Sequence, residues 1–176
     1  DFQQRNWTLA YRAVEKRLAL DKKPPLPKEV LEKSVHIIIP GRLEKRIIDG
    51  VNIIFDVAHN PQKIRALIDS LRKLYPDKKP IFVVAFGQNK YSSLAESLAI
   101  IDNLAQLAYA TTFSANYGKN HRNIPPETIR HVMKSAVKIE YNPDKALAKA
   151  IKKARQLDTY VVVTGSFYLV SEFAAS

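Results

Sequence analysis

The 176-residue sequence contains no cysteine, which excludes disulfides, thiol nucleophiles and thiolate metal sites. Its five glycines are too few and too scattered to form a glycine-rich loop around a triphosphate. Neither G-x-G-x-x-G nor G-x-x-x-x-G-K-[ST] occurs, so the phosphate-binding fingerprints of dinucleotide folds and P-loops are missing. No apolar run is long enough to span a bilayer, and the start does not resemble a secretory signal. A cytoplasmic protein without a membrane partner is expected. The four histidines are scattered and lack metal-ligand spacing, so this chain alone is expected to build no metal site.

What is present is an ordinary globular composition, 46% hydrophobic and 26% charged, with a net charge of +11. The positive excess is spread along the chain, without a basic block or a basic stretch interleaved with aromatics. Nucleic acid is therefore not an expected partner. A diffuse positive field favours small polyanions such as nucleotides or polycarboxylates. A chain that opens on Asp1 is expected to be processed, trimmed or a fragment.

Residues 1–20 place Phe2, Leu9, Ala10, Ala13, Val14 and Leu18 at helical spacing. The prolines of "DKKPPLPKEV" are expected to end that helix in an extended linker, because proline lacks a donor and disfavours helix before it. Such a helix cannot bury its own apolar face. It is expected to pack on the following domain or to belong to a preceding one, giving a division into 1–33 and 34–176. From Ser34 the pattern alternates strand and helix. A strand is expected at "SVHIII", then two strands joined at Asp49-Gly50, a strong hairpin signal. Helices starting at Pro61, Pro126 and Pro143 and a helix through "LAESLAIIDNLA" alternate with strands at "PIFVVAFG", "QLAYATTF", "AVKIE" and "TYVVVTGS", before a closing helix at "FYLVSEF". The expected fold is α/β: a three-layer, mostly parallel sheet with helices on both faces and one antiparallel edge hairpin.

Ligands of open parallel sheets bind beyond the carboxyl ends of the strands. The strand ending at Phe55 delivers Asp56, His59 and Asn60 there. The next delivers Gly87, Gln88, Asn89 and Lys90, the third Ser114 and a loop with Lys119, His121 and Arg122, and the last Thr164, Gly165 and Ser166. Asn60-Pro61 reads as a helix start, with Asn as cap and Pro at the first helical position. For Asp56 three readings stay open: a second cap, a loop hydrogen bond, or an acceptor for ribose hydroxyls. His59 is either a turn histidine or a nucleotide contact. His36 and His131 read as structural.

Four segments, "PGRLE" at 40–44, "IIFDVAHNP" at 53–61, "VVAFGQNK" at 83–90 and "VVVTGSFYLVSEF" at 161–173, together resemble the C-terminal domain of folylpolyglutamate synthase/dihydrofolate synthase, within the Mur ligase family. The resemblance implies a Rossmann-like domain of an ATP-dependent amide ligase. That enzyme adds L-glutamate to folate or dihydropteroate through an acyl phosphate. ATP and Mg²⁺ would be held largely by a central ATPase domain that is the implied partner, with none bound by the isolated domain. Carried over residue by residue, Arg42, Asp56, His59 and Asn60 become nucleotide contacts, and Lys90 and Ser166 glutamate contacts. No catalytic residue is assigned within this chain. The sequence departs from the family at Val57, where glycine is usual, and at Asn89 and Tyr91, where acids are expected. The competing expectations are a stand-alone, monomeric α/β module for an anionic metabolite, or a domain of another Mur-type ligase.

Overall fold

A computed structural model describes residues 2–35, 39–114 and 122–173. The chain divides into two compact units, Asp1–Ile39 and Pro40–Ser176.

The first unit consists of two helices, α1 (Phe2–Leu20) and α2 (Lys28–Val35). The Trp7 indole N–H donates to the Ser34 hydroxyl at 2.9 Å, pinning α1 to α2, and its ring stacks on Tyr11 at 5.3 Å. Trp7, Tyr11, Glu15 and Leu18 form the half-buried line of α1, whereas Leu9, Ala10, Ala13 and Val14 of the expected apolar stripe are exposed. The expected linker is shorter than the proline pattern suggested. The Pro27 carbonyl accepts from Val30 and Leu31 and starts α2, whose Lys28–Glu32 and Lys33–Glu29 pairs lie one turn apart. Nothing after Pro27 breaks a helix, so α2 runs through Ser34 and Val35, where a strand was expected. Of the rest of that expected strand, Ile39 is in no strand and 36–38 lie outside the described residues.

The second unit is a six-stranded sheet among the described residues, in the order β1-β2-β6-β3-β4-β5. Its strands are β1 (Glu44–Ile48), β2 (Val51–Phe55), β3 (Ile81–Val84), β4 (Leu107–Ala110), β5 (Val137–Ile139) and β6 (Val161–Thr164). β1 and β2 form the antiparallel hairpin across Asp49-Gly50, with Ile48 opposite Val51, and all other pairs are parallel. The expected α/β architecture with one antiparallel edge is thus observed.

Strand side chains alternate between two cores. Ile54, Phe82, Val84, Ala108 and Val162 meet α3 (Pro61–Leu74), α4 (Leu94–Asp102) and α5 (Pro126–Val132), while Phe55, Val83, Tyr109, Val161 and Val163 meet α6 (Pro143–Gln156) and α7 (Phe167–Glu172). On α3 the period of 3.6 residues puts Ile64, Leu67, Ile68 and Leu71 on the buried side. Each such side chain contributes roughly 1.5–3 kcal/mol when fully buried.

This layering follows from handedness. Right-handed crossovers carrying the chain from β2 out to β5 place α3, α4 and α5 on one face, and the return through α6 to β6 lies on the other. β6 therefore sends its outgoing loop to one face while its neighbours β2 and β3 send theirs to the opposite face. In open parallel sheets such a reversal, beyond the strand ends, is where ligands bind.

Gly165 follows β6 at this point. Its φ of +101° lies where side-chain-bearing residues are strained, and a Cβ there would stand 2.6 Å from the Ala85 carbonyl and 3.0 Å from the Phe86 ring. Its N–H donates to the Ala58 carbonyl at 2.9 Å, joining the ends of β6 and β2. Gly165→Ala is expected to lower unfolding stability by about 2–4 kcal/mol. A urea titration showing a loss below about 0.5 kcal/mol would contradict this tight approach.

Candidate functional site

The loop from Pro40 to Leu43 lies beside the end of β2 and is held at three backbone groups. The Gly41 carbonyl accepts from Val57 N–H at 2.8 Å, the Gly41 N–H donates to Glu44 Oε2 at 2.8 Å, and the Leu43 N–H donates to Asp56 Oδ2 at 2.9 Å. Gly41 has φ +68° and Leu43 φ +48°. For glycine that conformation carries no side-chain penalty, and a Cβ at Gly41 would stand 2.9 Å from a Val57 methyl. For leucine it costs about 1–2 kcal/mol, offset here by the bond to Asp56. Arg42 sits between these two constrained residues.

Asp56 uses its second oxygen as well: Oδ1 accepts from Ala58 N–H at 2.8 Å. Its own N–H continues the sheet to the Val163 carbonyl at 3.0 Å. Burial pushes its carboxyl above the usual range, against the opposing pull of the Leu43 and Ala58 donors and of Arg42 and Lys63. Of the readings open from sequence, loop hydrogen bonding is what the geometry displays.

His59 Nδ1 lies 2.8 Å from the Val57 carbonyl, which can only accept, so Nδ1 carries the proton. Nε2 is then an acceptor and faces the Lys63 ammonium at 3.4 Å. Burial lowers the pKa of His59, and the positive charges of Lys63, Lys90 and Arg42 lower it further, against the Val57 bond. Asn60 caps α3, its side-chain oxygen accepting from Lys63 N–H at 2.9 Å. The same Asn-Pro device starts α6 at Asn142-Pro143, which marks it as a structural pattern.

Lys90 lies half-buried in a 3₁₀ helix over Gln88–Ser93, and its charge reaches His59. Ser166 is buried and caps α7, its oxygen accepting from Tyr168 N–H at 3.1 Å. The base of the next loop is tied to the β3 end. Arg122 offers its carbonyl to Gln88 N–H at 2.7 Å, and the Asn123 amide bonds the Phe113 N–H and carbonyl, both at 2.9 Å. Ser114 donates its N–H to Glu172; Lys119 and His121 lie outside the described residues.

Arg42, His59 and Lys90 thus share one electrostatic neighbourhood with Lys63, which the sequence reading did not single out. A lysine in the first turn of a helix opposes the helix dipole, and that mismatch was a legible signal. Among the described residues, no group of three His, Asp or Glu could hold a metal ion, and no helix is long and apolar enough to cross a membrane.

Residues 41–167 match the family model described as Mur ligase, glutamate ligase domain. The chain belongs to that family. It is 28% identical over 173 residues to folylpolyglutamate synthase of Lacticaseibacillus casei, covering 97% of this chain and 37% of that protein. It is also 31% identical over 128 residues to UDP-N-acetylmuramyl-tripeptide synthetase of Lacticaseibacillus paracasei, covering 70% of this chain and 25% of that protein. The crystal structure of a bifunctional folylpolyglutamate synthase/dihydrofolate synthase from Yersinia pestis, complexed with AMPPNP and Mn ion, superimposes with a TM-score of 0.71 at 22% identity, covering 86% of this chain and 35% of that one. The family resemblance carried by the four segments is thereby upheld. This glutamate ligase domain spans 37% of the length of the folate enzyme it matches.

The His59 environment makes a prediction about pH. The unfolded chain takes up a proton on His59 near the ordinary imidazole value of 6.5, whereas the folded domain resists protonation until a lower pH. Stability is therefore lost as pH falls from about 6.5 toward the folded pKa. His59→Gln is expected to flatten that loss in thermal melts between pH 7.5 and 5.5. The opposite contribution of Asp56 is common to both proteins and cancels in the difference. Parallel stability profiles for the two proteins would show that His59 is not held neutral.

Proposed function

We propose that this glutamate ligase domain forms one wall of the active site of an ATP-dependent amide ligase that adds L-glutamate to folate, to dihydropteroate, or to both. The observation that carries the proposal is the anchored Arg42 loop, with Lys63 and Lys90 gathered round a neutral His59 at the sheet reversal. Such an array suits the phosphates of a nucleotide. It does not suit a metal ion, because the nearby carboxylates are engaged by backbone N–H groups and no acidic cluster stands among the described residues. Mg²⁺ and the phosphate cradle then belong to an ATPase domain elsewhere in the full-length cytoplasmic protein.

ATP, when bound, supplies the phosphoryl group that activates the substrate carboxylate. This domain's residues bind and orient. Arg42 is placed to balance charge on the phosphates, where a guanidinium offers a forked set of donors. His59, donating from Nδ1 to Val57, presents an acceptor at Nε2 that lies beside the Lys63 ammonium and can also take a ligand hydroxyl. Asp56 acts mainly through the Arg42 loop, and Asn60 by fixing the start of α3. Lys90 and Ser166 remain proposed for the carboxylates of glutamate, with the Ser166 hydroxyl hydrogen as its donor.

The match to the tripeptide synthetase supports a second proposal, that the acceptor is a muramyl peptide. The folate assignment rests on the broader coverage of the folate relative and on the T-G-S-x-Y-L-V segment. The deciding assay is ATP-dependent glutamate addition by the full-length protein to a folate, to dihydropteroate and to a muramyl peptide. Arg42→Ala is expected to reduce kcat/KM by about 10²- to 10³-fold, and Asp56→Ala by about 10- to 100-fold, through loss of loop anchoring. Near-native turnover in both variants would sink the site assignment, and turnover of the muramyl peptide alone would sink the folate one.

A further inference from the structure

Glu44 closes the segment "PGRLE", and its carboxylate has no part in the function proposed above. It is nonetheless the second anchor of the Arg42 loop. Oε2 accepts the Gly41 N–H at 2.8 Å, while Oε1 accepts from Arg46 Nε at 2.7 Å. Arg46 is itself fixed, donating to the Phe173 carbonyl at 2.6 Å and lying 4.9 Å over the Phe55 ring. Alternation along β1 turns Glu44 and Arg46 to the same side of the strand, and the Glu44 side chain is only 17% exposed. The Gly41 N–H and Arg46 together hold its carboxyl below the usual range, although burial opposes them. Arg42 is thus bracketed by two carboxylates, Glu44 on the Gly41 side and Asp56 on the Leu43 side.

We propose that Glu44 is a positioning residue for Arg42: by holding the Gly41 N–H it fixes the loop in the conformation that presents the guanidinium to a polyphosphate. This rests on the cationic-wall reading of the same site, and its test reads the wall rather than the ligase reaction. The sign of the effect separates positioning from plain electrostatics. Glu44 carries a negative charge close to a site proposed to bind anions. If charge alone mattered, removing it would tighten anion binding. If Glu44 positions Arg42, removing it weakens binding although the chain becomes more positive.

The measurement is calorimetric titration of the 176-residue chain with inorganic tripolyphosphate at low salt, where surface charges are least screened. Arg42→Ala and Glu44→Ala are each expected to bind about tenfold more weakly, the worth of one charge-assisted hydrogen bond. Glu44→Gln keeps an acceptor for the Gly41 N–H but turns its amide NH2 toward Arg46, and is expected to weaken binding less than Glu44→Ala does. Glu44→Asp keeps the charge but loses reach and is expected to weaken binding. Should Glu44→Ala fail to fold, the Asp variant still decides, because charge alone predicts no change where positioning predicts weaker binding. Tighter binding by Glu44→Ala, unchanged binding by Glu44→Asp, or no Arg42-dependent binding by the native chain would each overturn the proposal. A full-length protein without ligase activity but with this binding pattern would remove the proposed function and leave the role of Glu44 standing.

Discussion

The site depends on one carboxylate. Asp56 stands where β2 leaves the sheet, with Oδ2 bonded to Leu43 N–H and Oδ1 to Ala58 N–H. One side chain thereby ties the incoming Pro40–Leu43 loop to the outgoing turn that carries His59. Only an ionised acid can do this. An asparagine offers one oxygen, and its amide nitrogen would face the second N–H donor to donor. The bond is not cheap, since burial raises the carboxyl pKa despite both donors. The domain accepts that cost at the point where Leu43 holds an unfavourable backbone conformation. Two strained features that support each other are more stable together than either alone.

The same bonds bear on the charge beyond these strand ends. Asp56 and Glu44 bring negative charge there, yet each spends its oxygens on backbone N–H groups, and Glu44 also on Arg46. Their fields are thereby partly offset within the wall. Arg42, Lys63 and Lys90 all depress the His59 pKa, and the imidazole stays neutral among them. In a chain whose net charge of +11 is spread along its length, three cations lie close enough to His59 to act on it, while the local acids are bonded within the domain.

Legibility in the sequence tracked the range of the interaction. The hairpin at Asp49-Gly50, the helices begun by Asn60-Pro61 and Asn142-Pro143, and the buried runs of β3 and β6 are local patterns, and they were readable. The start of α2 was not, because three prolines between 24 and 27 suggested extension while Pro27 in fact opens a helix. "SVHIII" looked like a strand because β-branched residues favour one, but helix formation from Lys28 carries through Val35. For the site, the clustering of polar groups at strand ends was legible from topology. The anchors were not, because the Asp56–Leu43 bond spans 13 positions and nothing in the composition marks it. Glu44 lay in a quoted segment, yet only its bond to Gly41 gives it a task.

The start of α3 limits what this wall can do alone. A helix N-terminus commonly binds anions through its first backbone donors. Here Pro61 at the first position has no N–H, and the Lys63 N–H is taken by the Asn60 side chain. The donors that make such a terminus a phosphate cradle are mostly used before any ligand arrives. Under the proposed nucleotide role, recognition would fall to side-chain cations, which attract charge over several ångströms but impose little geometry. Arg42 differs from the two lysines because its loop is fixed on both flanks. In that proposed role, precision would come from the backbone bonds of Gly41 and Leu43, and the lysines would supply attraction whose strength falls with added salt.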